Sequence, residues 1–399
     1  MQIENHIYNM HHLIHRQLEP IVLQHLRVFP AVAVLGPRQS GKSTLVKMLA
    51  EKITPFVYVD LQNYEDLNKL SDPNLFFEAN RDAVICLDEI QLVPHLFSVL
   101  RSAIDKHRRN GRFILLGSAS QALIQQSSET LAGRIGLIEI SPFHVNEVCN
   151  EPAYSLQRYW LRGGFPESYL SQTDSDSMLW LENFIRTYIE RDIPQLGFQI
   201  PALQLRRLLM MCAHNQGQLL NASKLGEALG LTHPTIRRYI DLLEQTYILR
   251  TLQPYVANVK RRLVKSPKVY VRDSGILHRL LLITDFNSLM GNPVFGASWE
   301  GLVIENIIVN MPDWTPYFYR TATGDEMDLV LLRGNQKIAV ECKASTAPQL
   351  TKGWWDALAD INPEKAFVIA PISGSAYLLN DQITVASLTD GLNLMKQEP

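Results

Sequence analysis

Apolar positions follow two different spacings along the first third of the chain. Five apolar runs, over residues 31–35, 56–60, 83–87, 112–116 and 137–140, have the length and composition of buried β-strands. Residues 45–50, after the first run, and residues from about 6 to 27, before it, have helical spacing. Strands that alternate with helices predict an α/β unit with a parallel sheet.

The pattern changes after residue 150. Residues 151 to about 201 are rich in aromatic residues and helix formers. A helix over 221–229, a break at Gly230 and a helix over 235–244 predict a helix-turn-helix, with strands at 247–250 and 269–271 beyond it. A helix over 299–308, three strands, a helix over 353–360 and a strand over 365–369 predict a C-terminal α/β domain.

The composition is that of folded domains. The chain has 399 residues, 46% hydrophobic and 20% charged, so we expect about two to four domains. The net charge of −2 leaves any nucleic-acid binding to local basic patches. Four scattered cysteines indicate neither a zinc site nor a disulfide framework. Since we find neither a signal peptide nor an apolar run of membrane-span length, we expect a cytoplasmic protein with no membrane partner.

A phosphate-binding loop follows the first strand. The segment Gly36-Pro37-Arg38-Gln39-Ser40-Gly41-Lys42-Ser43-Thr44 fits the pattern G-x-x-x-x-G-K-[ST] at every fixed position. Its place between a strand and a helix argues against a chance Gly-rich turn. Backbone N–H groups and the helix N-terminus would bind phosphate, Lys42 would reach the β- and γ-phosphates, and Ser43 would bind Mg²⁺. We therefore expect ATP and Mg²⁺ as cofactors and residues 36–44 as nucleotide-binding.

An acidic pair ends the third strand. Asp88 and Glu89 follow the run at 83–87. After a complete phosphate loop, this pattern predicts that Asp88 holds Mg²⁺ and that Glu89 polarises the attacking water. By itself, the pair could be a solvated acidic turn. We predict Lys42, Asp88 and Glu89 as catalytic residues, and Ser43 and Asp88 as the metal-binding pair.

Two more residues are catalytic candidates. Ser118 follows the fourth strand, at the sheet edge where ligands bind, and could sense the γ-phosphate or cap the next helix. Arg134 precedes the last strand and could be an arginine finger for a neighbouring subunit or a structural arginine. Arg191 is a second candidate for a nucleotide or subunit contact. We expect a homo-oligomer, which a finger acting between subunits would require.

Four segments together resemble the prokaryotic AAA-type P-loop ATPases that carry a C-terminal domain of unknown function. They are residues 36–43, Leu87-Asp88-Glu89-Ile90-Gln91 with Pro94, Leu116-Gly117-Ser118, and Leu131-Ala132-Gly133-Arg134. The resemblance covers nearly the whole chain, although Leu116 stands where many members have Thr. It implies an AAA-type core, a helical lid, a winged helix and a restriction-endonuclease-like domain, which we place at residues 1–150, 151–200, 201–275 and 276–399.

The turn Arg162-Gly163-Gly164-Phe165-Pro166-Glu167 interrupts the lid. It resembles the adenine-contacting turn of related signalling ATPases, which would make Gly164 and Pro166 nucleotide-binding. A Gly-Gly-x-Pro turn is also simply a good helix break.

The helix-turn-helix and the loop after it carry basic residues suited to DNA. The functional interpretation places Thr235, Arg237 and Arg238 against DNA. The loop would contact phosphates through its basic residues Lys260, Arg261, Arg262, Lys265 and Lys268. The alternative is a lid-like module that packs on the ATPase or mediates assembly.

The last third of the chain carries a nuclease-like set of residues. Glu341 and Lys343 are one residue apart and share a strand face, and Asp328 can lie beside them across a hairpin. The set resembles the PD-(D/E)xK nuclease site, in which Asp328 and Glu341 would bind a divalent cation and Lys343 would orient or deprotonate water. Glu300 best matches the helical acid of that site, with Glu305 second, and their spacing allows only one to enter it. Such a domain could also bind a partner without cleavage.

The predicted fold class is therefore α/β, with a P-loop AAA-type core followed by a lid, a winged helix and a nuclease-like domain. The predicted function is an ATP-hydrolysing ATPase that acts on DNA and moves its C-terminal domains. The alternative is an ATP-switched regulatory or assembly protein whose C-terminal domain binds a partner without catalysis. The basic loop and the Asp328, Glu341 and Lys343 set favour the first.

Overall fold

The computed structural model describes residues 13–118, 131–195, 198, 200–256 and 263–397. The chain divides into two compact units, residues 1–143 with 245–247, and residues 144–244 with 248–399. The first boundary lies near the predicted end of the ATPase core at residue 150. The finer division into four domains stays a prediction.

A five-stranded parallel sheet forms the centre of the first unit. Its strands are β1 (Ala31–Leu35), β2 (Phe56–Asp60), β3 (Val84–Asp88), β4 (Phe113–Gly117) and β5 (Ile135–Glu139), in the order β2-β3-β4-β1-β5. All the pairings are parallel, which confirms the predicted α/β fold with a parallel sheet. Parallel pairing brings the carboxyl ends of β1, β3 and β4 to one edge, where the predicted nucleotide residues follow.

Helices cover both faces of this sheet. They are α1 (Glu19–Val28), α2 (Lys42–Ala50), α3 (Tyr64–Lys69), α4 (Pro73–Ala79) and α5 (Leu96–Lys106), with a 3₁₀ turn at Ile90–Leu92. Along β1, Val32 and Val34 belong to one hydrophobic cluster, whereas Ala31, Ala33 and Leu35 belong to another. This alternation shows that the strand is buried on both faces.

The first helix is shorter than its pattern predicts. Among the described residues, the helix begins at Glu19 rather than continuing from the segment before it. Pro20 lies in its first turn, where the missing N–H has no intrahelical partner to lose. A helix that continued through Pro20 would lose a hydrogen bond, so the prediction for the described part of residues 6–18 was wrong.

The second unit begins with helices. These are α6 (Val145–Val148), α7 (Leu156–Arg162), α8 (Pro166–Tyr169), α9 (Asp174–Thr187), a π-helical turn at Tyr188–Asp192, α10 (Ile193–Gln195) and α11 (Ala202–His214). A short antiparallel sheet follows, with β6 (Gln218–Leu219), β7 (Leu249–Leu252) and β8 (Lys268–Val271) in the order β6-β8-β7. Between β6 and β7 lie α12 (Ala222–Leu229) and α13 (His233–Gln245).

A mixed six-stranded sheet ends the chain. It follows α14 (Ser274–Leu280), α15 (Phe286–Met290) and α16 (Phe295–Asn310). Its strands are β9 (Thr315–Arg320), β10 (Glu326–Arg333), β11 (Gln336–Cys342), β12 (Lys365–Ile369), β13 (Tyr377–Leu378) and β14 (Ile383–Ala386), in the order β13-β14-β12-β11-β10-β9. The remaining helices are α17 (Lys352–Ile361) and α18 (Leu388–Gln397). Within the described residues, no helix is both long and apolar enough to cross a membrane.

A buried ion-pair network joins α16 to the three-stranded sheet. Glu305 accepts hydrogen bonds from Arg250 of β7 at 2.7 and 3.0 Å, and Arg272 Nη2 lies 2.7 Å from Glu305 Oε1. Burial alone would raise the pKa of Glu305, but the two guanidinium groups lower it to about 2. Glu305 is therefore ionised and bound to two arginines.

We expect Glu305→Gln to lower the free energy of unfolding by about 3 kcal/mol, because it leaves two largely buried guanidinium groups with one neutral acceptor. Since the folded pKa lies below the unfolded value of about 4.3, this contribution is present above that value and disappears as the pH falls towards 2. Urea unfolding at pH 7 and pH 3 measures both effects.

The matched control is Glu364→Gln, which changes an exposed glutamate of the same unit and should shift the unfolding free energy by less than about 0.5 kcal/mol. A Glu305→Gln protein as stable as this control at pH 7 would contradict the assignment.

Candidate functional site

The backbone of the phosphate loop requires glycine at two positions. Gly41, the N-cap of α2, has a φ of 92°, in the left-handed region. A Cβ on Gly36 would lie 2.0 Å from the backbone oxygen of Ile140. The loop thus passes close to the residue after β5 and ends at a helix N-terminus, which attracts anions. Among its other residues, Pro37 and Ser40 are buried, Arg38 and Ser43 are half-buried, and Gln39 and Thr44 are exposed.

Lys42 is buried within this loop. Its ammonium group donates to the backbone oxygens of Gly36 at 3.1 Å and Pro37 at 2.8 Å. Burial lowers the pKa of Lys42 to about 8, although the nearby Glu89 and Asp88 carboxylates oppose the shift. A phosphate would supply the negative charge that the carbonyl oxygens lack.

Arg16 fixes the loop from outside the motif. Its guanidinium group donates to Ser40 O at 2.6 Å and to Ser141 O at 2.7 Å, and lies 5.1 Å from the centre of the Phe143 ring. Arg16 thereby connects the phosphate loop to the segment after β5. Sequence reasoning missed it, because a lone arginine far from the motif gives no signal.

The predicted metal-binding pair is in direct contact. Ser43 Oγ donates to Asp88 Oδ2 at 2.7 Å, and the Tyr58 hydroxyl donates to the same oxygen. Burial and the bond to Asp88 raise the pKa of Tyr58, which keeps it a donor. Hydroxyl and carboxylate oxygens are ligands that suit Mg²⁺ together with nucleotide phosphates, so the donor set fits the expected ion. Tyr58 was not predicted.

Glu89 is held in an unusual backbone conformation. Its φ of 55° lies in the left-handed region, and its N–H donates to Asp88 Oδ1 at 2.9 Å. Ser118 Oγ donates to Glu89 Oε2 at 3.0 Å, and the amide of Gln91 donates to the same carboxylate oxygen. A bulky residue in this conformation is strained and is typical of functional positions. The structure thus brings the predicted Ser118 and Glu89 into direct contact. Gln91, which sequence reasoning left out of the site, donates to both.

Arg134 has a partner within its own unit. Its guanidinium group forms two hydrogen bonds with Asp105 of α5, at 2.7 and 3.1 Å. The structure therefore places it in a bidentate ion pair. A role as an arginine finger stays a prediction.

Gly164 and Pro166 lie in the second unit. Gly164 N donates to Asp273 Oδ2 at 2.8 Å, and Pro166 is the first residue of α8. Burial raises the pKa of Asp273 to about 6 despite several backbone donors. The contact with Asp273 accounts for this turn without a nucleotide, and the nucleotide-binding role stays a prediction.

The nuclease-like residues do come together in the second unit. Leu329 pairs with Val340, which sets Asp328 and Glu341 beside each other on β10 and β11. Lys343 donates to Glu341 at 2.5 Å. The register between β9 and β10 shifts between Met327 and Val330, a bulge that redirects the chain at Asp328. Burial and the neighbouring carboxylates raise the pKa of Asp328.

A lysine that was predicted to face DNA lies in the middle of these carboxylates. Lys268 Nζ is 2.8 Å from Glu300 Oε1, 2.7 Å from Glu326 Oε1 and 3.7 Å from Asp328 Oδ1. Its side chain is 2% exposed. Tyr270 also donates to Glu300, at 2.6 Å. Lys268 therefore does not contact phosphates from an exposed loop, and that prediction was wrong.

The predicted metal does not fit this second cluster. Across the described parts of the chain, no group of three or more His, Cys, Asp or Glu side chains is arranged to hold a metal ion. Lys268 Nζ instead contacts Glu300 and Glu326 and lies 3.7 Å from Oδ1 of Asp328, one of the two residues predicted to bind the metal.

The remaining DNA candidates lie on α13. Its apolar residues Ile236, Ile240 and Leu243 are buried, which leaves Arg237 and Arg238 exposed. Thr235 is half-buried, and its hydroxyl bonds to that of Thr232 at 2.8 Å. Lys260, Arg261 and Arg262 lie outside the described residues.

Family comparisons agree with the nucleotide site. Residues 28–149 match the model described as an AAA domain. Residues 153–287 and 295–390 match two domains of unknown function, DUF8612 and DUF4143. The predicted AAA-type nucleotide-binding domain is thereby confirmed, and the winged-helix and PD-(D/E)xK assignments stay predictions.

Two relatives have high coverage. Uncharacterized proteins of Mycobacterium bovis and Mycobacterium tuberculosis are each 39% identical over 342 residues, which is 86% of this chain and 76% of each relative. The chain belongs to the same protein family as these two relatives.

Among solved structures, the Walker-type ATPase of Pyrococcus abyssi is 16% identical to this chain and has a TM-score of 0.46. The match covers 67% of this chain and 96% of the Pyrococcus chain. That likeness is too weak to support a conclusion.

The lowered pKa of Lys42 predicts a pH limit for nucleotide binding. Below about 8, Lys42 is charged and can pair with phosphate, whereas above 8 it loses its proton before ATP binds. We expect the ATP dissociation constant to be constant from pH 6 to 8 and to rise up to about tenfold per pH unit above it. Titration with a fluorescent ATP analogue measures this.

Lys42→Arg serves as the control, because its guanidinium group stays charged across this range. Its affinity, whatever its absolute value, should not change between pH 8 and 10. A wild-type affinity that is equally flat would show that Lys42 does not titrate there.

Proposed function

We propose that the first unit hydrolyses ATP. The observation that carries this proposal is the Glu89 carboxylate, which Ser118 and Gln91 hold beside Asp88 at the edge of the sheet that also ends in the phosphate loop. A site that only stored a nucleotide would not need a carboxylate fixed in a strained conformation. The AAA-domain match supports the same reaction.

The position of each residue in the site suits a particular role in ATP hydrolysis. Lys42 would exchange its carbonyl acceptors for phosphate oxygens, and the N-terminus of α2 would bind the same groups. Ser43 and Asp88 would hold Mg²⁺, which neutralises phosphate charge when bound. Glu89 would accept a hydrogen bond from the attacking water, and Ser118 and Gln91 keep it in place.

Glu89→Gln tests this role, because it keeps the hydrogen bonds but removes the charge that polarises water. We expect the rate of ATP hydrolysis to fall by about 10²- to 10⁴-fold, with ATP affinity nearly unchanged. A phosphate-release assay gives the rate, and analogue binding gives the affinity.

Glu65→Gln, at an exposed position of α3, is the matched control and should hydrolyse ATP at the wild-type rate. If Glu89→Gln hydrolyses ATP as fast as Glu65→Gln, Glu89 does not act on the water.

We further propose that the protein acts on DNA through α13. Helices α12 and α13 meet at Gly230, which has a φ of 66°, and β7 and β8 pair antiparallel after them. This order of elements supports a winged helix, with Arg237 and Arg238 on the exposed face of its second helix. The same proposal includes a helical lid over residues 151–200, assembly into a homo-oligomer and a cytoplasmic location.

The double variant Arg237→Ala/Arg238→Ala should bind duplex DNA about tenfold more weakly. It should also reduce the slope of log affinity against log salt concentration by about 2, because two phosphate contacts are lost. Fluorescence anisotropy over a range of salt concentrations measures both quantities.

The double variant Arg81→Ala/Arg186→Ala removes two exposed arginines elsewhere and is the control. If both variants lose affinity equally, the contact is not specific to α13. If wild-type protein binds no DNA, and DNA does not change its ATP turnover, the DNA proposal is rejected.

The second candidate is an ATP-switched regulatory or assembly protein whose C-terminal domain does no chemistry. The elements α16, β9, β10, β11, α17 and β12 follow one another in an order that supports a PD-(D/E)xK fold. The position of Lys268 among the acidic residues nevertheless favours binding over cleavage. The ATPase proposal holds in either case.

A further inference from the structure

Four carboxylates and three cations form the centre that the nuclease motif predicts. The carboxylates belong to Glu300 of α16, Glu326 and Asp328 of β10, and Glu341 of β11. The cations are Lys268, Lys343 and Arg320, whose Nη1 lies 3.5 Å from Glu326 Oε2. We call this set the acidic centre. The three cations, all from this chain, nearly balance the negative charge of the four carboxylates.

Lys268 has the central position in this set. It is the first residue of β8, and its ammonium group is within 2.8 Å of two carboxylates that come from different elements, α16 and β10. The third carboxylate, Asp328, is 3.7 Å away, and the Phe318 ring is centred 5.6 Å from the same nitrogen. An ammonium group has three donors, so these neighbours satisfy it as ligands would satisfy a metal.

The backbone keeps Lys268 in this position. Before β8, Leu263 forms an antiparallel bridge with Thr321, and Val264 N donates to Arg320 O at 3.1 Å. After β7, Tyr255 N donates to Phe318 O at 2.6 Å. Both described ends of the segment between β7 and β8 are therefore bonded to β9 and its following turn. This pairing holds the backbone before β8 beside β9, so the ammonium group can leave the carboxylates only by a conformational change of a buried side chain.

A divalent cation and this ammonium group exclude each other. Mg²⁺ or Mn²⁺ bound to Glu300 or Asp328 would need oxygens at about 2.0–2.2 Å. One oxygen each of Glu300 and Glu326 already lies within hydrogen-bond distance of Lys268, and Asp328 Oδ1 lies 3.7 Å from the same ammonium group, so a metal here would meet a positive charge. Any metal would have to displace an ammonium group that is 2% exposed.

We propose that Lys268 supplies the cation of the acidic centre, in place of a divalent metal, so that the C-terminal domain does not cleave nucleic acid by a metal-dependent reaction. Lys268 of β8 then links α16 and β10 through Glu300, Glu326 and Asp328, and Lys343 pairs with Glu341 of β11. This inference does not depend on ATP hydrolysis, and its test uses no nucleotide.

The test measures Mn²⁺ binding to the full chain by electron paramagnetic resonance. Wild type and Asp328→Asn should bind the same amount of Mn²⁺, since any ion at the phosphate loop is common to both. Lys268→Met should bind one additional Mn²⁺, and Lys268→Met/Asp328→Asn should lose it. Lys352→Met, which removes an exposed lysine of the same unit, should behave as wild type.

Three results would overturn the proposal. The first is a wild-type protein that binds one more Mn²⁺ than Asp328→Asn does. The second is Mg²⁺- or Mn²⁺-dependent DNA cleavage that wild type performs and both Asp328→Asn and Glu341→Gln lose. The third is a folded Lys268→Met protein that gains no Mn²⁺. If Lys268→Met does not fold, the comparison of wild type with Asp328→Asn and Glu341→Gln still decides the matter.

Discussion

Removing an ammonium group from water is unfavourable unless acceptors and opposite charges surround it. Among the described residues, each unit of this protein buries one such lysine, and the two are surrounded differently. Lys42 has two backbone oxygens, and burial lowers its pKa to about 8. Lys268 has carboxylates at 2.7 and 2.8 Å, and these raise its pKa above the ordinary value in spite of burial. Lys42 is therefore hydrogen-bonded to neutral acceptors, whereas Lys268 is paired directly with carboxylates.

These different surroundings indicate different roles for the two lysines. Lys42 suits a phosphate-binding site, whereas Lys268 suits an internal ion-pair network. Lys42 donates to neutral oxygens, and a charge-assisted hydrogen bond to a phosphate would be stronger than these. Asp88 and Glu89 lie near enough to influence Lys42 but are engaged by Ser43, Tyr58, Ser118 and Gln91. In the acidic centre, three cations of the chain itself face the four carboxylates.

Local patterns predicted the nucleotide site because its main residues follow strands of one parallel sheet. Asp88, Glu89 and Ser118 were each placed by the strand before them, and parallel pairing brings those ends together. Arg16 and Tyr58 were missed because their contacts join residues far apart in sequence, with no shared motif. Lys268 was misassigned for the same physical reason. A basic residue beside a predicted DNA-binding loop looks exposed, and only the tertiary structure shows 2% exposure between carboxylates from two other elements.

Helix α16 shows how one sequence spacing led to two ion-pair networks. Glu300 and Glu305 are five residues apart and so cannot face the same direction. Glu300 binds Lys268 of β8, and Glu305 binds Arg250 of β7 and Arg272. Both acidic residues of the helix are therefore attached to the three-stranded sheet or to the residue that follows it. Separating that sheet from α16 would expose both networks and leave several charges without partners, which is strongly unfavourable. We therefore expect the three-stranded sheet and α16 to move together as one body.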